Sequence, residues 1–66
     1  MEITVNGNVT TFPDGTTVRG LLEHLALGGK FVAVERNRIV VPYQTYDETI
    51  LGDGDVLEIV TLVGGG

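Results

Sequence analysis

One stretch of the chain repeats its apolar residues at helical spacing, and the segments on both sides of it have the patterns of β-strands. The repeat falls at i, i+3, i+4 and i+7 and consists of Val18, Leu21, Leu22 and Leu25. This spacing places all four side chains on one face of an amphipathic helix. Residues 1–6 instead alternate apolar and polar side chains, which is typical of a half-buried strand. The fold must therefore pack a single helix against strands.

Five strands are predicted from alternation, β-favouring composition and the turn residues between them. Asn6 and Gly7 favour a type I′ turn, since both central positions of that turn need a positive φ. This turn joins the first two strands into a hairpin, and residues 36–38 join the third strand to the fourth. The predicted strands cover residues 1–6, 9–12, 30–37, 38–42 and 56–63.

Capping and turn signals delimit these elements. Thr16 or Thr17 is a candidate N-cap of the helix, and Gly28 with Gly29 is predicted to end it. The Pro-Asp-Gly segment at 13–15 and the Gly-Asp-Gly-Asp segment at 52–55 are predicted turns. Residues 43–51 lack a clear period and are predicted to form a loop with a short helical turn.

The element order is strand, strand, helix, strand, strand, strand. One helix lying across one mixed sheet is the simplest way to bury the apolar faces of such a chain. We therefore predict an α+β fold of the β-grasp type, with about five strands and one main helix. Residues 1–66 are predicted to form a single domain that ends in an extended, flexible glycine tail at 64–66.

The totals exclude several classes of protein. A chain of 66 residues buries roughly 60% of its unfolded surface, which leaves little room for a deep catalytic pocket. Nine acidic residues against four basic ones give a net charge of −5, which disfavours nucleic acid and suits a partner with a basic groove, or solubility alone. Cysteine is absent, and neither a signal peptide nor a membrane segment is predicted, so we expect a cytoplasmic protein.

The side chains offer no convincing catalytic, cofactor-binding or metal-binding set. His24 is the single histidine and is predicted to lie on the surface. Two acidic groupings and two glycine segments are candidate sites: Asp53, Asp55 and Glu58 as cation ligands, Asp47 with Glu48 as an acid–base pair, and residues 28–29 and 52–54 as phosphate loops. Calcium loops and phosphate loops need further ligands that these segments lack, so turn formation and solvated charge explain them better.

The unusual group is the main-chain terminus. Gly64, Gly65 and Gly66 have no Cβ and can pass through a channel too narrow for any side chain. A partner enzyme can transfer AMP to the α-carboxylate of Gly66 and so turn an inert group into a reactive acyl-adenylate. Such chemistry depends on positioning, which a slim terminus allows. A frayed, passive end is the alternative interpretation.

The last strand is also predicted to carry a docking surface. If its alternate residues Leu57 and Ile59 face the helix, then Glu58, Val60 and Leu62 face the other way. Exposed apolar groups on an open sheet face often mark an interaction site, although scattered surface residues are the alternative.

The chain resembles the ThiS sulfur carrier family of thiamin biosynthesis, whose members are ubiquitin-like. The likeness extends over the whole sequence. It lies in VNG at 5–7, TVRGLL at 17–22, VAVERN at 32–37, IVVP at 39–42 and LGDGDVLEIVTLVGGG at 51–66. Members often have a basic residue soon after the proline, whereas PYQTY stands here at 42–46.

The resemblance implies a cycle in which this chain is a protein co-substrate and not an enzyme. An E1-like adenylating enzyme of the ThiF type would use ATP and magnesium to form the Gly66 acyl-adenylate. Sulfur mobilised by a cysteine desulfurase would replace AMP and leave a thiocarboxylate. A thiazole synthase of the ThiG type would then take that sulfur for the thiazole ring of thiamin.

Three alternatives stay open at this point. The small subunit of molybdopterin synthase has the same fold, tail and thiocarboxylate but a different acceptor. A ubiquitin-type modifier is a second alternative, in which Lys30 is the sole possible branch point. A β-grasp binding module with a passive tail is the third.

Overall fold

The computed structural model describes residues 1–28 and 31–62, which form one mixed sheet of five strands, one α-helix and one turn of 3-10 helix. In chain order the elements are β1 (Glu2–Val5), β2 (Asn8–Thr11), α1 (Val18–His24), β3 (Val32–Arg36), β4 (Ile39–Val40), the 3-10 turn (Tyr43–Thr45) and β5 (Val56–Thr61). The predicted element order is confirmed, including the helical turn inside the long loop. The predicted end of the last strand at Val63 lies outside the described residues.

The last strand of the chain occupies the centre of the sheet. The strand order is β2-β1-β5-β3-β4, and β5 runs parallel to β1 and antiparallel to β3. Both hairpins, β1 with β2 and β3 with β4, are antiparallel. Because β5 has a neighbour on each side, the segment that leads into the glycine tail is held by the core of the sheet.

Both hairpin turns place two consecutive residues in the left-handed region. The first has φ of 49° at Asn6 and 85° at Gly7, which confirms the predicted type I′ turn. The second has φ of 51° at Asn37 and 70° at Arg38. Four of the five strands are shorter than predicted. Residues in the turns and at the strand ends belong to the alternating sequence pattern but lie outside the paired part of the strands.

The helix begins where the sequence predicts but ends earlier. The Thr17 side chain caps it by accepting a hydrogen bond of 3.1 Å from the Gly20 N–H. The predicted stop at Gly28 and Gly29 is wrong: α1 ends at His24, and Ala26 takes the left-handed conformation with φ of 61°.

A Schellman motif explains this early end. The N–H of Leu27 donates to the Leu22 carbonyl at 2.7 Å, and the N–H of Ala26 donates to the Glu23 carbonyl at 3.0 Å. Leu27 packs against the core. This contact and the two hydrogen bonds hold Ala26 in a conformation that glycine usually adopts.

The core lies between the helix and one face of the sheet. It is built from the buried stripe of α1, the inward residues of the strands, and side chains of the long loop: Ile3, Val5, Phe12, Val18, Leu21, Leu22, Val32, Val34, Val41, Tyr46, Leu51, Leu57 and Ile59. The other face of the sheet carries no helix among the described residues. None of the described helices is long and apolar enough to cross a bilayer.

Candidate docking face and the base of the tail

Strand β5 divides its side chains between the core and the open face of the sheet. Leu57 is fully buried and Ile59 is 7% exposed, as the alternation predicts. Glu58 and Val60 lie on the opposite face and are exposed. The strand therefore anchors itself in the core with every second residue, and the residues between them are exposed on the opposite face.

The open face extends beyond β5 to its neighbours. In the register of β3 and β5, Ala33 is opposite Val60 and Glu35 is opposite Glu58. Across β3, Glu35 is also opposite Val40 of β4. We define the open face as the exposed residues of one side of the sheet: Glu2, Val9, Thr11, Ala33, Glu35, Val40, Val56, Glu58 and Val60. Glu2 and Thr11 form an opposed pair at the start of β1, away from Glu35 and Glu58. The open face is an apolar surface with two carboxylates near its middle.

The third predicted docking residue has a different position. Leu62 lies one residue beyond β5, is 52% exposed, and donates its N–H to the Phe31 carbonyl at 2.8 Å. Together with Phe31, which is 81% exposed, it borders a groove of about 470 Å³. The remaining groove residues come from α1, β3 and the long loop: Arg19, Gly28, Val32, Tyr43 and Tyr46. Leu62, the last described residue, therefore borders this groove.

Tyr46 fixes the loop that forms one wall of the groove. Its hydroxyl donates to the Val32 carbonyl at 3.1 Å, and its ring lies 5.5 Å beneath the guanidinium carbon of Arg19. Arg19 in turn pairs with Asp47 at 3.1 Å. Burial raises the pKa of Tyr46, against the smaller lowering effects of the nearby Val34 backbone and of the Arg19 charge. The tyrosine is therefore a neutral structural group at physiological pH.

Asp55 organises the turn that starts β5. Its Oδ2 accepts hydrogen bonds from the Gly52 N–H at 2.7 Å and from Arg36 Nε at 2.8 Å, and its Oδ1 accepts one from Asn37 Nδ2 at 3.0 Å. Burial alone would raise the pKa of this carboxyl, but these hydrogen bonds together with the Arg36 charge outweigh it and hold the pKa below its usual value. Asp55 joins the second hairpin to the first residues of β5.

Asn6 holds β5 from the other side. Its Nδ2 donates to the Ile59 carbonyl at 3.1 Å and its Oδ1 accepts from the Ile59 N–H at 2.7 Å. The side chain thus continues the ladder of β1 after the backbone has turned away. Asn6 and Asp55 together fix the strand that carries both the open face and the base of the tail.

The other groups weighed in the sequence have structural positions. His24 is exposed and its ring contacts Phe12 edge-on, with 5.2 Å between centroids. Asp53 Oδ1 accepts the Glu2 N–H at 2.7 Å, and Asp55 is occupied as described, so both act as turn residues. In the described part of the chain no three acidic or histidine side chains are close enough to share a metal ion.

Sequence reasoning missed two features of this region. Glu35 belongs to the open face next to Glu58, and Asn37 with Arg36 binds Asp55. The alternation in VAVER at 32–36 could have indicated that Ala33 and Glu35 face away from the core. Nothing in the local sequence indicates which residue of β5 lies opposite Ala33 or Glu35. Gly64, Gly65 and Gly66 lie outside the described residues.

The comparisons with known proteins identify the family. A model described as the ThiS family matches residues 1–66. The chain belongs to the ThiS family. The resemblance noted in the sequence is confirmed, and it covers the helix, the sheet and the glycine tail alike.

Individual relatives agree with this membership. The chain is 42% identical over 66 residues to a thiazole synthase of Paramagnetospirillum magneticum, covering 100% of this chain but 20% of that protein. It is 45% identical over 53 residues to the sulfur carrier protein ThiS of Bacillus subtilis, covering 80% of each chain. A crystal structure of the thiamine biosynthesis protein ThiS from Geobacter metallireducens matches with a TM-score of 0.83 and 35% identity, covering 100% of both chains. The predicted β-grasp fold is thereby confirmed.

Proposed function

We propose that this chain is a sulfur carrier that delivers sulfur for the thiazole ring of thiamin. The observation that supports this most directly is the family match over all 66 residues, which includes the strand leading into three terminal glycines. The sulfur carrier of Bacillus subtilis and the thiamine biosynthesis protein of Geobacter metallireducens bear names that favour the thiamin branch over molybdopterin synthesis.

In this proposal the reacting group is the α-carboxylate of Gly66. The partner adenylating enzyme binds ATP and magnesium and transfers AMP to the carboxylate with release of pyrophosphate. The outer sulfur of a persulfide formed by a cysteine desulfurase then displaces AMP and gives an acyl disulfide. A thiol reductant cleaves its sulfur–sulfur bond, leaves the thiocarboxylate on Gly66 and is itself oxidised to a disulfide. In this proposal the chain binds no cofactor or metal and catalyses no step, so its role is that of a co-substrate. The proposed location of the cycle is the cytoplasm.

The open face and the tail have complementary roles. Glu58, Val60 and Leu62 contact the partner, while Gly64 and Gly65 thread the channel that leads to its active site. Asn6 and Asp55 hold β5 on both sides, so the strand that precedes the tail is already ordered and less entropy is lost when the terminus is positioned.

Thiazole synthase is the proposed acceptor of the sulfur. The thiazole synthase of Paramagnetospirillum magneticum contains a region similar to this whole chain, and this chain spans 20% of that protein's length. Two activities that share one polypeptide commonly act on each other's product, which supports a thiazole synthase as the partner that consumes the thiocarboxylate.

Intact-mass analysis tests the proposal. The purified chain is incubated with ATP, magnesium, the adenylating enzyme of the same organism, a cysteine desulfurase and cysteine. The expected product is heavier by the difference between one sulfur and one oxygen atom. A variant extended by two residues after Gly66 is the control, and we expect it to fold normally and gain no sulfur. ATP–pyrophosphate exchange that persists with the extended variant would contradict the proposal.

A further inference from the structure

The open face contains two carboxylates that lie directly opposite each other. Glu35 and Glu58 are register partners in the antiparallel pair β3 and β5, and both are exposed. Directly opposed residues have Cβ atoms about 5 Å apart and project to the same side. None of the three ion pairs found among the described residues involves either glutamate. Like charges in this arrangement destabilise a sheet.

Apolar residues surround the pair on the open face. Val60 and Ala33 form the next opposed pair toward the tail, Val56 lies two residues away on the other side, and Val40 is opposite Glu35 across β3. A partner that covers these side chains also removes water from the two carboxylates. Such desolvation is unfavourable unless the partner supplies a positive charge.

Several occupants are disfavoured by this charge pattern. A second copy of the chain would bring its own two carboxylates against this pair. Anionic membranes and nucleic acids carry the same sign as the pair and as the chain, whose net charge is −5. The face therefore suits a protein surface that is apolar and carries a basic side chain.

We propose that Glu35 and Glu58 together bind one guanidinium or ammonium group of the adenylating enzyme. This inference rests on the proposed function, in which the adenylating enzyme brings the tail of an acidic chain next to the phosphates of ATP. Attraction at the docking face offsets that repulsion and accelerates encounter. An arginine is the better fit, since its planar group can donate to two carboxylates at once.

The position of the pair relative to the tail gives it a positioning role. Glu58 is four residues before Leu62, which corresponds to about 13 Å along a strand. A cation held between the two glutamates therefore fixes β5 in one register on the enzyme, and it fixes the direction in which the tail leaves. Glu35 and Glu58 act as positioning residues and do not touch the reacting carboxylate.

Two double variants with the same net charge test the inference. Glu35→Gln with Glu58→Gln removes the pair, and Glu23→Gln with Glu48→Gln removes two exposed carboxylates from α1 and from the long loop. Binding to the adenylating enzyme of the same organism is measured at low and high salt, and ATP–pyrophosphate exchange gives KM and kcat separately. Thermal unfolding of each isolated variant checks the fold.

We expect the first double variant to raise Kd and KM by about tenfold at low salt, with a weaker salt dependence and unchanged kcat. Its melting temperature should equal or exceed that of the original chain, because repulsion is removed. The control variant should change Kd by less than about twofold. Equal weakening by both variants would show general charge steering and would overturn the inference, as would no weakening by either.

The remaining outcomes separate the inference from the proposed function. If the original chain binds the enzyme but never gains sulfur, the proposed function fails, and the two Kd values still decide the role of the pair. If the first double variant loses affinity for thiazole synthase but not for the adenylating enzyme, the assignment of the occupant is wrong. If the variant is activated and bound like the original chain, the function stands without this pair.

Discussion

Arg36 Nε and Asp55 Oδ2 are 2.8 Å apart, and this ion pair connects the end of β3 to the turn that starts β5. The carboxylate is largely shielded from solvent and receives two further hydrogen bonds, from the Gly52 N–H and from Asn37 Nδ2. A charge-assisted network of this kind contributes more to stability than an exposed ion pair. It fixes the central strand at the end opposite the tail.

Replacing Asp55 with asparagine should therefore lower the free energy of unfolding by about 2 kcal/mol. The variant keeps the size of the side chain but removes the charge. An NH₂ group replaces one carboxylate oxygen and then faces the N–H donors that this oxygen accepted from. Urea unfolding measures the effect. Asp47→Asn is the matched control, since its pair with Arg19 is exposed and should contribute less than about 0.5 kcal/mol. Equal losses in both variants would contradict the role given to Asp55.

The same carboxyl predicts how stability depends on pH. Its pKa is lower in the folded chain than its usual value, so its contribution is fully present above the unfolded pKa of about 3.9. The contribution is lost as the pH falls through the folded pKa. We expect a fall in unfolding free energy below about pH 4 that is smaller in Asp55→Asn. Parallel pH profiles for the two proteins would show that other carboxyls cause the fall.

Asn6 combines a left-handed turn position with two hydrogen bonds to Ile59, and two substitutions separate these contributions. Asn6→Gly keeps the conformation but loses both bonds, which should cost about 1–2 kcal/mol. Asn6→Ala also loses the bonds, and unlike the glycine variant it keeps a Cβ at φ of 49° without the polar side chain that makes this conformation tolerable for asparagine, so it should cost about 1 kcal/mol more than Asn6→Gly. Thermal unfolding of both variants measures the difference. Equal stabilities of the two variants would mean that the turn carries no strain.

Replacing Ala26 with glycine is predicted to stabilise the fold. It is exposed and has φ of 61° in the Schellman motif, a position where glycine is favoured. Ala26→Gly should raise the unfolding free energy by about 1 kcal/mol. The converse substitution is Gly15→Ala, where φ is 88° and the added Cβ meets no atom within 4 Å. A comparable loss of unfolding free energy in this variant would come from backbone conformation alone. A destabilised Ala26→Gly variant would contradict this assignment.

Substitution in the glycine tail is expected to affect activation by the adenylating enzyme and not the stability of the fold. Gly65→Ala adds one methyl group to the segment proposed to enter a narrow channel, so ATP–pyrophosphate exchange should fall by at least about tenfold. The melting temperature should be unchanged, because the core is built from residues between Ile3 and Ile59. Thr61→Ala, on an exposed position of β5, is the control and should leave exchange nearly unaffected. Unchanged exchange by Gly65→Ala would argue against the channel.

Much of the fold could be predicted because its signals are local. The helical stripe, the alternation in β1 and β5, the Asn6 and Gly7 turn and the Thr17 cap each depend on a few neighbouring residues. The end of α1 could not be predicted in this way. The helix ends through the left-handed Ala26, and not at Gly28, and this end lets the partly buried Leu27 pack against the core.

The sequence alone determined the order of the elements, the faces that enter the core, and the family to which the chain belongs. The tertiary structure decided which distant residues meet: Asp55 with Arg36, Asn6 with Ile59, and Glu35 with Glu58. Propensity and periodicity act over a few residues, whereas these contacts depend on the register and order of strands. Those are set only when the whole core packs at once.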